Sequence, residues 1–239
     1  MRSPPPANGP VDASNVGIAV SLFALCALLA ALLVRGMISF LRSKRRSQLM
    51  WAGGLGCAAA AMGIEAVVYV GVVSSGLLQL YVFLSAAIVG ILSLGVTRLL
   101  RRPRWEAAYT AYTLSACAAT GIACALTPLD PSMVVGGVIA GNPPLLLLAF
   151  SSLVTVPATV LLLAATVISL RRTRRWPTLC LAAGALILGA GGAFYIASFP
   201  IALYYAEFAG IVLLFVGIVQ IPVAHAAGAA APAAARPTG

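Results

Sequence analysis

Long apolar runs separated by short polar connections dominate the chain. Each run is long enough to cross about 30 Å of hydrocarbon at about 1.5 Å per residue. The pattern therefore predicts an all-α, polytopic membrane bundle of seven transmembrane helices. The predicted spans are 16–40, 49–73, 77–99, 106–127, 145–170, 177–199 and 201–223. The last division depends on Ser198 and Pro200; without a turn there, one long helix would replace two and the topology would change.

Composition supports a lipid environment for these runs. Of the 239 residues, 62% are hydrophobic and only 8% are charged, whereas soluble domains carry about 25% charged residues. A chain this apolar has too few polar side chains to cover a water-exposed surface. We therefore expect a multi-pass protein of the cell (plasma) membrane, with the lipid bilayer as its main partner.

The basic residues predict the orientation of the bundle. All but three of the 15 lysines and arginines lie in the connections 42–48, 98–106 and 171–177. By the positive-inside rule these connections are cytoplasmic, which places the N-terminus outside and the C-terminus inside. The net charge of +10 is then explained by topology and by attraction to anionic lipid headgroups, and no nucleic acid is implied.

Composition also divides the chain into three regions. We expect 1–15 to be a disordered extracytoplasmic N-terminus, 16–223 to be the transmembrane domain and 224–239 to be a disordered cytoplasmic tail.

A faint internal repeat links helices 2–3 with helices 6–7. Each pair shows a basic connection, a tryptophan, a small-residue helix, a tyrosine before the outer turn, a second tyrosine after it, and late glycines. This order is consistent with a 3+1+3 parallel repeat of the kind found in transporters. It is equally consistent with the general frequency of these residues in membrane helices.

Glu65 is the most informative polar residue, because it interrupts the apolar run AMGIEAVVYVG. It lies about 24 Å along helix 2 from Leu49, in the outer half of the membrane. Glu207 lies at a similar depth in helix 7, and Tyr69 and Tyr204 share helix faces with the two carboxyls. An acidic side chain in a span costs about 2.5–3.5 kcal/mol on insertion scales, so it normally faces the bundle interior or a hydrated cavity.

The glutamates and tyrosines at this depth have two possible roles. In one, a polar pocket opens to the outside and binds a cation, a proton or a small polar ligand. In the other, each glutamate bonds a tyrosine or a carbonyl and locks the bundle, with Glu207 alternatively reaching the outer surface. The candidate ligand-binding residues are Glu65, Tyr69, Tyr81, Tyr195, Tyr204 and Glu207.

Missing residue types argue against most chemistries. The only lysine, Lys44, lies in a basic connection, which excludes a retinal Schiff base within the bundle. The only histidine, His225, lies at the inner end of helix 7, so multi-histidine haem and zinc sites lack their ligands. We therefore predict no catalytic residues, no metal and no cofactor, and no enzyme activity. A lipid-modifying enzyme using Glu65 is the one catalytic alternative.

Three further features concern packing. Small residues in helices 2 and 6 predict that these two helices are central, with close contacts such as that between Ala59 and Gly63. Pro157 should kink helix 5, and nearby Ser151, Ser152 and Thr155 are expected to satisfy the freed backbone groups. The longest outer loop, 127–144, is a candidate lid or docking site.

Two apolar motifs, GILSLG late in helix 3 and YYAEFAGIVLLFVGIVQIP across helix 7, resemble those of a family of small prokaryotic seven-helix membrane proteins with no assigned activity. The resemblance covers about residues 16–223, supports the seven-span architecture and implies no function.

The sequence thus predicts a protein that binds, transports or senses a small molecule or ion through an outward-facing polar pocket around Glu65. The alternative is a non-catalytic accessory subunit of a larger membrane complex, which would need a membrane-protein partner.

Overall fold

Five long helices account for most of the described structure. A computed structural model describes residues 13–43, 46–99, 103–135, 138–139 and 143–173, together with isolated helical positions between 176 and 216. The helices are α1 (Ala13–Ser43), α2 (Arg46–Tyr69), α3 (Ser75–Leu99), α4 (Pro103–Leu126) and α5 (Leu145–Thr173). Each is long and apolar enough to cross a membrane.

The prediction of helical spans is confirmed for these five segments. The described residues are helical except for short connections, a 3₁₀ turn at Pro131–Met133 and two paired β-strands of two residues each. The predicted sixth and seventh helices lie largely outside the described residues, as do both termini. The 3+1+3 repeat therefore stays a prediction.

The turn between α2 and α3 is longer and begins earlier than the hydropathy pattern indicates. The apolar run continues to position 73, but α2 ends at Tyr69. Gly71 takes a φ of 99°, a left-handed conformation that few residues other than glycine adopt readily. The Ser74 hydroxyl then accepts the Leu77 N–H at 3.3 Å and caps the start of α3.

The short connections make consecutive helices antiparallel. The C-terminal ends of α1, α3 and α5 therefore lie at the same end of the bundle as the N-terminal ends of α2 and α4, and we call this end the basic end. The turn 70–74 and the α4–α5 connection lie at the opposite end.

Helix α3 lies at the centre of the described helices. It packs against α2, α4 and α5, while α1 packs against α2. In agreement with the prediction that helix 2 is central, α2 lies between α1 and α3 and is the most buried of the five spans, although α3 contacts one helix more. Helix 6, the other predicted central helix, lies outside the continuously described segments.

Glycines allow α2 and α3 to approach closely at the basic end. A Cβ at Gly54 would lie 2.6 Å from Leu92 Cδ2, and a Cβ at Gly95 would lie 2.5 Å from Trp51 Nε1. At Gly63, by contrast, a Cβ would meet no atom of the described residues within 4 Å. The close contacts are therefore nearer the basic end than the predicted contact at Gly63.

A hydrogen bond links α5 to α4 beside the proline of α5. Pro157 has no N–H, so the Leu153 carbonyl, four residues earlier, loses its helical donor. The Tyr112 hydroxyl of α4 donates to that carbonyl at 2.7 Å. The expectation that nearby serines would satisfy it is wrong for Ser151 and Ser152, because both donate to the Leu148 carbonyl instead.

The outer faces of the bundle present large apolar side chains. This surface matches hydrocarbon, since a water-exposed protein rarely leaves so extensive an apolar area uncovered. Examples from α1, α4 and α5 are Val20, Phe23, Leu114, Ile122, Val156 and Val160.

Candidate functional site

Glu65 is buried near the end of α2 that lies opposite the basic end. It is four residues from the last residue of the helix, which corresponds to about 6 Å along the axis. Only 2% of its surface is exposed. The carboxyl group is therefore enclosed by protein and does not face an open pocket.

Tyr81 of α3 provides the direct contact to this carboxyl. Its hydroxyl donates to Glu65 Oε1 at 2.5 Å, and its side chain is only 6% exposed. Tyr81 is six residues into α3, or about 9 Å from the helix start. The two side chains meet because the tight turn 70–74 brings these two depths level with each other.

Tyr81, the partner of Glu65, belongs to a cluster of buried apolar side chains. They come from α2, α3, α4, α5 and the α4–α5 connection, so the pair lies where five segments converge. On the side of α1, Cys26 lies within electrostatic range of the carboxyl. The buried members of this apolar cluster besides Tyr81 are Ala61, Ile64, Val68, Leu78, Ala123, Cys124, Leu129, Met133, Ile139 and Leu147.

The described residues of the α4–α5 connection contribute Leu129, Met133 and Ile139 to this cluster. We call residues 127–135 and 138–139 the cap. Asp130 begins its 3₁₀ turn by accepting the Ser132 N–H at 2.8 Å. Val134 and Val135 then pair antiparallel with Ile139 and Val138.

Two hydrogen bonds attach the cap to α3. The Ser75 hydroxyl accepts the Leu129 N–H at 2.9 Å, and Gln79 Nε2 donates to the Thr127 carbonyl at 2.9 Å. Ser75 and Gln79 are four residues apart and therefore share a face of α3. The cap is thus held by the same helix that carries Tyr81, two residues beyond Gln79.

The Asp130 carboxylate is the ionisable group of the cap. It lies at the surface, and the hydrogen bonds from Ser132 hold its pKa below the ordinary aspartate value. A lowered pKa means that the carboxylate stabilises the turn above the unfolded value of about 4 and loses this effect only as the pH falls through the lower, folded value. Asp130 therefore stays ionised throughout the neutral range.

Further hydrogen bonds join α3 to α4 and α4 to α5. The Ser93 hydroxyl donates to the Gly90 carbonyl at 2.6 Å and lies 2.9 Å from the Tyr109 hydroxyl. Between α4 and α5, the Thr120 hydroxyl donates to the Phe150 carbonyl oxygen at 3.0 Å. These contacts bind α3 to α4 and α4 to α5, as interhelical hydroxyls do in other membrane bundles.

The structure brings together only part of the predicted site. Glu65 and Tyr81 are in contact. Tyr69 is half-buried and packs against another buried cluster, which is formed by apolar side chains of α1 and α2 such as Leu22, Leu25 and Met62. Tyr195, Tyr204 and Glu207 lie outside the described residues.

Sequence reasoning missed the residues that hold the cap. Gln79 offered a signal, because it is a polar side chain within an apolar run. Leu129, Met133 and Ile139 offered another, because apolar residues in a loop often mark a buried loop.

The described residues contain no group of three or more histidine, cysteine, aspartate or glutamate side chains arranged to hold a metal ion. Comparison with known proteins gives no match to a family model, to a curated protein or to a solved structure.

Proposed function

We propose that this protein binds or transports a small molecule or ion, or senses it, at a centre formed by Glu65 and Tyr81. One observation carries the proposal: a carboxyl group lies within a span at 2% exposure and contacts a tyrosine of the neighbouring helix. Acidic side chains in spans are costly, and they commonly mark ligand or ion pathways.

In this proposal the structure represents a closed state of the site. The cap contributes Leu129 and Met133 to the buried cluster that contains Tyr81, the partner of Glu65. Ligand from the cap side would reach the carboxyl only after the cap moves. Exposure of a mid-membrane site to one side at a time is the general principle of alternating access.

The orientation and the full span count belong to the same proposal. Arg35, Arg104 and Arg171 are exposed at or near the basic end, where cytoplasmic anionic headgroups could bind them. In this proposed orientation the cap lies on the outer side of the cell (plasma) membrane. With helices 6 and 7 as predicted, the bundle has seven spans, an external N-terminus and a cytoplasmic C-terminus.

The second candidate function is an accessory subunit of a larger membrane complex. The close contact between Tyr81 and Glu65 favours it, because the same hydrogen bond would serve as an interhelical lock. A lipid-modifying role has less support, since it needs a lateral opening beside a carboxyl that is enclosed on the described sides.

Reconstitution into lipid vesicles tests the main proposal. Vesicles carrying the full-length protein would be given proton, sodium or potassium gradients, with internal pH and ion indicators as readouts. We expect a flux in the wild type that Glu65→Gln removes, because the amide cannot exchange a proton or balance a cation's charge. The matched control is Glu106→Gln in α4, which changes an acid near the basic end.

A wild-type flux that persists in Glu65→Gln would contradict the proposal. Native mass spectrometry of gently extracted protein tests the two candidate functions in parallel. A small-molecule adduct lost in Glu65→Gln supports a binding site, whereas a co-purifying protein without an adduct supports the accessory subunit.

A further inference from the structure

We propose that a single water molecule is bound inside the bundle where α3, α4 and α5 meet, and that the Thr113 hydroxyl donates to it. Thr113 is ten residues beyond the first residue of α4, or about 15 Å along the helix axis. The site therefore lies near the middle of the span. It is separate from the centre proposed at Glu65, and neither depends on the other.

The Thr113 hydroxyl is buried without a hydrogen-bonding partner among the described residues. The residue is only 3% exposed, and its Oγ1 atom is completely enclosed. The other buried serine and threonine residues of the described helices are Ser93, Thr97 and Thr120, and each donates to a carbonyl of its own helix. Thr113 is the exception. An enclosed hydroxyl with no partner is unfavourable, so this arrangement calls for a bound group that can accept its hydrogen.

Close packing at Gly90 of α3 limits where that group can lie. A Cβ at Gly90 would lie 3.3 Å from Thr113 Cγ2 and 2.8 Å from Val154 Cγ1 of α5. The methyl group of Thr113 therefore faces α3 and leaves no room on that side. The hydroxyl is the other branch of the same Cβ, so it points to a different part of the junction.

The junction is enclosed from all three helices. Val154 is 2% exposed and packs with Ala86 of α3 and Ala116 of α4. Cys117, one turn beyond Thr113, approaches the same glycine. A ligand held among these residues must be very small, which is the first requirement that water meets.

The contact between Ser93 and Tyr109 supplies an acceptor for the same water. The Ser93 hydroxyl has one hydrogen and donates it to the Gly90 carbonyl at 2.6 Å. In the 2.9 Å contact between Ser93 and Tyr109, the tyrosine hydroxyl is therefore the donor, and its oxygen keeps its capacity to accept.

Tyr109 is four residues before Thr113 and shares its face of α4. A water molecule that accepts from Thr113 and donates towards Tyr109 would use both of its functions. Buried waters ordinarily make about three such hydrogen bonds to groups that would otherwise lack a partner.

Replacement of Thr113 by valine tests the proposal through the sign of its effect on stability. Valine has a similar shape but no hydroxyl, so Thr113→Val removes a hydrogen bond to the water. We expect the unfolding equilibrium constant in mixed micelles to rise by about threefold, the effect of an average hydrogen bond between membrane helices. The reference variant Thr120→Val removes a hydroxyl with known partners and should give a rise of similar size.

An unchanged or smaller equilibrium constant in Thr113→Val would overturn the proposal. If no water is bound, the substitution removes an enclosed hydroxyl that bonds to nothing, and its effect is neutral or stabilising.

X-ray radiolysis of the full-length protein in lipid vesicles locates the water directly. Irradiation of a bound water produces a hydroxyl radical, which oxidises side chains within a few ångströms, and peptide mass mapping identifies the oxidised residue. Cys117 lies beside the proposed water. Cys124 lies on the same helix within the apolar cluster that contains Tyr81, so it serves as the matched control.

We expect Cys117 to be oxidised several-fold faster than Cys124 in the wild type, a comparison that needs no substitution. Thr113→Val should lower the rate at Cys117 several-fold, whereas Thr113→Ser keeps the hydroxyl and should retain the rate. Equal rates at the two cysteines in the wild type would overturn the proposal. So would equal rates at Cys117 in the wild type and Thr113→Val.

Discussion

Gly53 and Gly54 are adjacent in α2 and both approach α3, but the space beside them differs. A Cβ at Gly54 would lie 2.6 Å from Leu92 Cδ2 and 2.8 Å from its Cγ. A Cβ at Gly53 would lie 3.6 Å from Ile91 Cγ2, which is ordinary van der Waals contact. The two positions therefore provide a matched test of close helix packing.

We expect Gly54→Ala to lower the free energy of unfolding by about 1–3 kcal/mol, because Leu92 must move out of its preferred position. Gly53→Ala should be neutral or stabilise by up to about 1 kcal/mol, since alanine restricts the unfolded chain and favours the helix. Unfolding in mixed micelles of denaturing and mild detergent measures both. Equal effects of the two substitutions would contradict this packing.

The partner of Glu65 shows how far residue-level prediction extends. The sequence predicted the depth of Glu65, its inward orientation and the presence of tyrosines at its level. It could not identify Tyr81 as the contact, because the rotation of α3 about its axis decides which α3 residue meets the carboxyl. That rotation is poorly specified by a helix that is apolar on nearly every face.

At the scale of the element, α5 depends on its neighbour to tolerate Pro157. A serine or threonine hydroxyl usually reaches the carbonyl three or four residues earlier in its own helix. The Leu153 carbonyl could therefore be reached only from positions 156 and 157, which are Val156 and Pro157. No residue of α5 could make this bond, so the donor, Tyr112, comes from α4.

A double-mutant cycle on Tyr112 and Pro157 tests this dependence. Tyr112→Phe should lower the free energy of unfolding by about 0.6–1.7 kcal/mol, the range for hydrogen bonds between membrane helices. Pro157→Ala restores an N–H to the Leu153 carbonyl, so Tyr112→Phe should cost less in that background. The coupling is measured by unfolding all four variants in mixed micelles, and additive effects would contradict the assignment.

The cap shows what element-level prediction leaves out. Its length and its position between two spans could be read from the sequence, and both a lid and a docking site were compatible with it. Its folded form could not be read, because Ser75 and Gln79 lie about 50 residues away from their partners in the chain. Apolar side chains in a connection indicate burial, but they do not indicate which helices they cover.

At the scale of the whole molecule, the existence and approximate positions of the first five spans follow from apolar length, although α2 ends before its apolar run does. The arrangement of these spans does not follow from it, because lipid-facing and protein-facing residues are both apolar in a membrane protein. Small residues pointed to α2, which is the most buried of the five spans, but they did not show that α3 contacts α2, α4 and α5. Glycines make close contacts in both helices, so they do not indicate which of the two helices is more central.

The predicted topology has a simple test in two measurements. A reporter that is active only in the cytoplasm, fused after residue 239, should be active if helices 6 and 7 are separate spans. A single long helix in their place would put the reporter outside and make it inactive.

The companion measurement places the cap relative to the membrane. In a background with the five native cysteines replaced by alanine, Ser132→Cys should react with a membrane-impermeant thiol reagent applied to intact cells. Arg104→Cys at the basic end should react only after permeabilisation. The reverse pattern would contradict the orientation.

The tight turn at Gly71 has a consequence for biosynthesis. Glu65 and Tyr81 are 16 residues apart, so α2 and α3 form a helical hairpin that carries both members of the pair. At about 5–20 residues per second, ribosomes complete α3 within about 2–7 seconds of adding Glu65. The carboxyl therefore obtains its hydroxyl partner while the chain is still entering the bilayer. We expect α2 and α3 to insert as a single unit, so the cell need not wait for the later helices before this acidic group can leave the translocon.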